Sequence, residues 1–207
     1  MSTKKEEKES IQFKIITLGD CGVGKKSIIK RYVYNNFVEN QLTTIGISFS
    51  FKEVILKDGT KISLKFINTG GQEKYRALSK SYFKNANGVL FVFSLNDVET
   101  FNDLGEWAKQ FEENNDGTNF VCKYLVGNKN DLEIKVDQTS IEDFKKDNKF
   151  DGYASISVKE NDGIDKLFED MSQILYDDYK RKGKEIEKKN ILLEKTVKRK
   201  KTKCLLY

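Results

Sequence analysis

The sequence predicts an α/β protein, a mainly parallel sheet wrapped by helices on both faces. Short apolar runs alternate along the chain with amphipathic stretches of helical spacing. Two of these runs, 88–94 and 120–126, are apolar nearly throughout, as strands buried on both faces are. A strand–turn–helix unit starts this alternation, and strands alternating with helices are how parallel sheets are built.

The elements follow in order. A strand over 13–18 passes through a glycine-rich turn into a helix over 25–36. Strands over 47–57 and 61–67 are joined at Asp58-Gly59, which predicts a two-residue hairpin turn because glycine accepts positive φ. Strand 88–94 comes next, then helical spacing over 98–114 and strand 120–126. Helix 140–147, strand 153–156 and helix 163–180 complete the body. Beyond 180 the pattern loosens, which predicts an irregular tail over the last fifteen or so residues.

Composition narrows the chemistry. The 207 residues include no histidine and no proline, so imidazole acid–base pairs, Ser-His-Asp triads and imidazole metal sites are excluded. The net charge of +5 is unevenly placed. Residues 181–207 hold eleven Lys/Arg and three Glu, a balance of +8, which leaves a body of −3. A mildly acidic body with a basic arm points away from nucleic acid and toward an acidic surface met by the arm. Cys21, Cys122 and Cys204 are far apart and lack metal-ligand spacing, as in a reduced, cytoplasmic protein. The longest uncharged run, 85–96, is shorter than the ~20 residues needed to span a bilayer. Three segments result: a charged arm over 1–10, a domain over 11–180 and a basic tail over 181–207.

The glycine-rich turn is Gly19-Asp20-Cys21-Gly22-Val23-Gly24-Lys25-Lys26-Ser27. Its glycines let backbone N–H groups curl around an anion at a helix N-terminus, and Lys25 reaches the β- and γ-phosphates of a nucleotide. It departs from G-x-x-x-x-G-K-[ST] at one place: Lys26 stands where a hydroxyl normally ligates Mg²⁺. Ser27 is one step on, about 100° around the helix. At the end of the hairpin's second strand, Asn68 stands where a carboxylate normally holds the same ion. Both changes remove donors from one metal.

Downstream, Asn128-Lys129-Asn130-Asp131 follows a strand. The Asp131 carboxylate can accept from N1–H and the exocyclic amine of guanine together, a pattern adenine does not offer. Asn128 can brace the loops and the Lys129 stem can cover the base. In Ser157-Val158-Lys159 a backbone N–H can donate to the guanine O6.

These motifs resemble the Ras superfamily of small GTPases, most closely the Rab branch, over about residues 11–180. The phosphate loop looks like GDSGVGKTS. Thr43-Thr44-Ile45-Gly46-Ile47-Ser48-Phe49 looks like switch I, and Asn68-Thr69-Gly70-Gly71-Gln72-Glu73 is similar to switch II. NKND and SVK match the guanine motifs. The resemblance implies a P-loop NTPase G domain with a six-stranded sheet, one antiparallel edge strand and five helices. It implies GTP/GDP as ligand with Mg²⁺ as companion, and the departures at Lys26 and Asn68 predict that the ion is weakly held. It also implies that Thr44 closes over the γ-phosphate and its metal, that Gln72 orients the attacking water, that the Gly71 N–H meets the γ-phosphate and that Phe37 packs on the base. Effectors, an exchange factor and an activating protein would meet residues 40–50 and 68–84, with the chain otherwise a monomer.

The sequence departs from the Rab pattern further. Gly70 stands for alanine, Cys21 for serine and Ile67 for a tryptophan of the effector surface that Phe49 and Tyr82 share. The tail ends Cys204-Leu205-Leu206-Tyr207 after the basic run 198–201, a shape that predicts a prenyl group on Cys204 and peripheral attachment to a cytosolic membrane face. Two functions follow: a nucleotide switch with slow hydrolysis, or a scaffold that binds guanine nucleotide without turnover.

Overall fold

The computed structural model describes residues 11–39, 47–69, 83–115 and 120–204, from 186 onward as backbone only. Six strands form one sheet: β1 (Ile11–Leu18), β2 (Ile47–Ile55), β3 (Lys61–Thr69), β4 (Gly88–Ser94), β5 (Cys122–Asn128) and β6 (Gly152–Ile156). Their order is β2-β3-β1-β4-β5-β6. The β2–β3 pair is antiparallel, and β3–β1, β1–β4, β4–β5 and β5–β6 are parallel. The described helices are α1 (Lys25–Tyr34), α2 (Val98–Asn102), α3 (Leu104–Asn114), α4 (Gln138–Asp147) and α5 (Ile164–Cys204).

The period-2 alternation of each strand sorts its side chains into two cores. On one face Phe13 and Ile15 of β1, Leu90 and Val92 of β4 and Tyr124 and Val126 of β5 pack with Ile28 and Ile29 of α1 and Phe168 and Met171 of α5. On the other, Ile16 and Leu18, Val89, Phe91 and Phe93 meet Leu104, Trp107 and Phe111 of α3 and Ile141 of α4. The Tyr32 ring of α1 stacks on Phe168 at 4.0 Å and meets the edge of Phe66, which fixes α1 against α5 and β3. Because β1 is flanked by β3 on one side and β4 on the other, the chain order reverses at its C-terminal end. Ligands of open α/β sheets bind at such a point.

Four local expectations shift. The β2–β3 loop has three residues, not two: Leu56 N–H donates to the Thr60 carbonyl at 2.9 Å, enclosing Lys57, Asp58 and Gly59. Gly59, at φ +81°, supplies the left-handed residue of a type I turn with bulge. The 98–114 stretch is two helices meeting at Asp103, whose N–H closes α2 on the Glu99 carbonyl while its own carbonyl receives Glu106 and Trp107. The fifth strand begins at Cys122 and runs to Asn128, so the first residue of the NKND motif is itself a strand residue. Finally, α5 does not stop near 180, and its helical backbone reaches Cys204. The proline-free, Lys/Glu/Leu-rich stretch that follows suits that continuation.

Candidate nucleotide site

At the C-terminal end of β1 the chain turns through Gly19–Gly24 and enters α1. Gly24 precedes the helix at φ +101°, and a Cβ there would lie 2.3 Å from the Asn128 side-chain nitrogen. Only glycine admits that backbone and that neighbour together. Val23 is fully buried, whereas Cys21 and Gly22 are exposed.

Lys25 is folded onto its own loop. Its ammonium donates to the carbonyls of Gly19 (2.8 Å) and Asp20 (2.6 Å). Burial depresses its pKa to about 8, partly offset by Cys21 and Asp20. The Asp20 carboxylate accepts from the Trp107 indole N–H at 2.8 Å, tying the loop to α3. Burial raises the Asp20 pKa, the indole bond pulls it down, and the charge of Asp103 raises it again.

The NKND and SVK segments meet the phosphate loop through Asn128. Its amide nitrogen donates to the Val23 carbonyl at 2.8 Å and its oxygen accepts from the Val158 N–H at 3.2 Å. One buried side chain thus braces both loops. Lys129 follows at φ +68°, and Asn130 N–H donates to the Ile156 carbonyl. The exposed Asp131 carboxylate accepts from the buried Ser157 hydroxyl at 2.6 Å, which orients it. With the Val158 N–H engaged by Asn128, the Lys159 N–H makes no hydrogen bond among the described residues and stays available to a ligand.

Sequence spacing missed Arg31 of α1. Its guanidinium donates to the carbonyls of Val158 (3.0 Å) and Lys159 (3.2 Å) and lies 5.5 Å over the Phe37 ring. Lys159 reaches Glu39 at 3.7 Å across the same end. Phe37, half-buried, is thereby held beside the SVK segment. No motif linked Arg31 to residues 127 and 128 positions away. The asparagine and aspartate motifs were visible because they are contiguous.

Asn68 sits near the C-terminal end of β3, in register with Thr17 of β1 and 2 % exposed. Its amide oxygen accepts from the Thr17 hydroxyl at 3.0 Å, and its amide nitrogen is buried without a partner. The side chain of Lys26, half-buried in the first turn of α1, makes no hydrogen bond or ion pair among the described residues. Lys26 offers no oxygen at all, and Asn68 offers only a neutral amide oxygen already bonded to Thr17, where a hard divalent ion favours hydroxyl and carboxylate oxygens. An ammonium and an amide with its N–H₂ unpaired are groups for an anion, so this part of the donor set does not fit Mg²⁺. Ser27, the next hydroxyl, is half-buried one step further along α1.

Thr44, Gly71 and Gln72 lie outside the described residues, as do Gly70 and Tyr82. Of the expected effector-surface positions, Phe49 stands half-exposed on β2, but its cross-strand partner Ile67 is 2 % exposed and packs in the core beside Ile16 and Phe83. Ile67 therefore serves packing: the alternation of β3 places it on the covered face, in the cluster with Ile16 and Phe83. Among the described residues no helix is long and apolar enough to cross a membrane.

The comparisons agree with this geometry. The Ras family description matches residues 14–177. A probable Rab-related GTPase of Acanthamoeba polyphaga mimivirus is 36% identical over 79% of this chain and 76% of its own length. The Ras-related protein Rab-30 of Homo sapiens is 35% identical over 77% of this chain and 78% of its own. The Ras-related protein Rab-5B of Plasmodium falciparum is 32% identical over 86% and 84%. With a phosphate loop at the end of β1, an asparagine bracing it to the SVK loop and these relatives, the chain belongs to the Ras family of small GTPases, on its Rab branch.

Proposed function

We propose that this chain is a Rab-like guanine-nucleotide switch that cycles between GTP- and GDP-bound forms in membrane trafficking. The observation that supports it most is the pair of hydrogen bonds made by Asn128, one to Val23 of the phosphate loop and one to Val158 of the SVK loop. That brace holds the phosphate end and the base end of a nucleotide at one fixed separation. Asp131 then reads the guanine edge, Lys129 and Phe37 flank the base, and the loop 20–27 takes the phosphates. Effectors, an exchange factor and an activating protein meet residues 40–50 and 68–84. The basic run 198–201 and a lipid on Cys204 attach the chain to a cytosolic membrane face.

Within this reading, dependence on Mg²⁺ is weak and hydrolysis slow, because Lys26 and Asn68 replace two donors that chemistry uses, while Thr44 and Gln72 are kept. A scaffold that binds guanine nucleotide without turnover is the second reading, favoured by the same two residues. Titration of the full chain with fluorescent GDP and GTP, against ATP as competitor, tests the first claim. Guanine-selective binding is expected, and equal competition by ATP would sink it. Phosphate release over hours separates switch from scaffold: turnover accelerated by an activating protein is expected for the switch, none for the scaffold.

A further inference from the structure

Resting on the reading of a guanine-nucleotide site, we propose that the place of the metal is taken by the protein itself, so that this chain recognises the metal-free nucleotide and Mg²⁺ opposes binding instead of supporting it. Weak metal dependence alone would leave affinity indifferent to the ion. The residues here go further, because they are suited to the opposite charge.

Asn68 carries half of this. Its neutral carboxamide oxygen, the group's one metal-seeking atom, already accepts from the Thr17 hydroxyl. What remains is the N–H₂, buried and without a partner. A buried unpaired donor costs free energy until an acceptor arrives, and a phosphate oxygen or a water held by one relieves that cost. It stands on β3 beside the C-terminal end of β1, the strand that runs into the phosphate loop. The N-terminus of α1 adds its own positive end there.

Lys26 carries the other half. Lys25 is already committed to the loop carbonyls and nearly buried. Lys26, its neighbour, has no anionic partner among the described residues and is only half exposed. Among the described residues no carboxylate pairs with Lys26: Asp20 is bonded to Trp107, and position 68 holds an amide in place of the usual carboxylate. A divalent ion brought in on the phosphates would meet a lysine ammonium and an amide N–H₂ in place of two oxygen ligands. The ion and Lys26 compete for the same phosphate oxygens, and the ion loses two of its usual protein donors, with Thr44 kept, while gaining a like charge.

The test measures the affinity of the full chain for fluorescent GDP and GTP in chelator and in millimolar Mg²⁺ at matched ionic strength. Binding about tenfold tighter in chelator is expected, the size of one partly screened charge contact. Tighter binding in Mg²⁺, or equal binding, overturns the proposal and leaves the guanine-nucleotide function standing. Absence of guanine-nucleotide binding in both buffers overturns that function and this inference with it. Lys26→Ser, and separately Lys26→Ser with Asn68→Asp, should reverse the sign so that Mg²⁺ strengthens binding. Lys26→Ser lies on the helix surface and folds without burying a charge, so its result stands even if the double variant is unstable. A preference for chelator that survives both variants overturns the assignment to these residues.

Discussion

The indole of Trp107 on α3 donates to the carboxylate of Asp20 in the phosphate loop at 2.8 Å, across 87 positions of sequence. Asp20 is the carboxylate of the loop 19–27, and this bond ties it to α3. Trp107→Phe keeps the packing against Leu104 and Phe111 but leaves the carboxylate short of a donor. Because Asp20 is partly exposed, the loss is about 1 kcal/mol, less than a fully buried charged bond would cost. The pH dependence has a defined sign. Burial holds the folded pKa of Asp20 above 3.8, so the folded state binds the extra proton and stability falls as pH rises just above that value. Removing the indole bond widens this window upward, and Asp20→Asn removes it. Urea unfolding between pH 3.5 and 6.5, roughly the carboxylate range, reads both effects. In the unmutated chain, Trp107 is the one tryptophan, so its fluorescence also reports on the loop when nucleotide is added.

Lys25 predicts a second pH effect of opposite slope. Its folded pKa is about 8 against 10.5 for a free lysine, because burial penalises the ammonium. Between those values the unfolded chain holds more protons than the folded one, so the nucleotide-free protein gains stability as pH rises from about 8 to 10.5. The full gain is on the order of 3 kcal/mol. Lys25→Met abolishes the slope and does not destabilise the free protein at pH 7, yet it weakens binding of GDP and GTP by ~100-fold or more, the scale of a desolvated charged contact. A thermal unfolding series across pH, with and without nucleotide, checks both halves. Loss of stability in the variant at every pH would show that the carbonyl bonds outweigh desolvation.

Two glycines of the loop should respond differently to the same substitution. Gly22 and Gly24 both have positive φ, so alanine at either costs roughly 1–2 kcal/mol of backbone strain. At Gly22 the new Cβ meets nothing within 4 Å. At Gly24 it lands 2.3 Å from the Asn128 nitrogen, and Asn128 must release either Val23 or Val158. Gly24→Ala is therefore expected to cost about 2 kcal/mol beyond Gly22→Ala, through a buried polar group left unpaired. Equal unfolding midpoints for the two variants would mean that the asparagine brace is slack.

The alternation of buried strands and amphipathic helices was legible because sheet burial imposes a two-residue period and helix burial a 3.6-residue one. So were the contiguous motifs, Gly19–Ser27, Asn128–Asp131 and Ser157–Lys159. What was not legible depends on contacts with no local signature. The hairpin loop differs by one residue because Gly59 can serve a two-residue turn or a bulge, and only the pairing of Leu56 with Thr60 decides. The helix expected at 98–114 breaks at Asp103 although its apolar spacing runs on. Ile67, which stands where the resemblance has an effector-surface tryptophan, is buried because its environment comes from β1 and Phe83, which local spacing does not reveal. Trp107 and Arg31 complete the site from helices whose spacing announces only packing.

Arg31 yields the last prediction, and it separates the two ends of the site. The guanidinium holds the carbonyls of Val158 and Lys159 together and backs the Phe37 ring, so it shapes the end assigned to the base, and among the described residues it makes no hydrogen bond to the phosphate loop. Arg31→Ala should weaken guanosine, GDP and GTP by a common factor, roughly tenfold, the value of one or two hydrogen bonds that order a loop. Lys25→Met should instead leave guanosine untouched and weaken the nucleotides progressively as phosphates are added. Arg31→Lys can meet one carbonyl but not both, so it should fall between the wild type and alanine. Competition titrations with guanosine, GDP and GTP on the three variants give the pattern directly. If Arg31→Ala weakened GTP far more than guanosine, the base would not sit between Phe37 and the SVK loop, and the assignment of that end would be wrong.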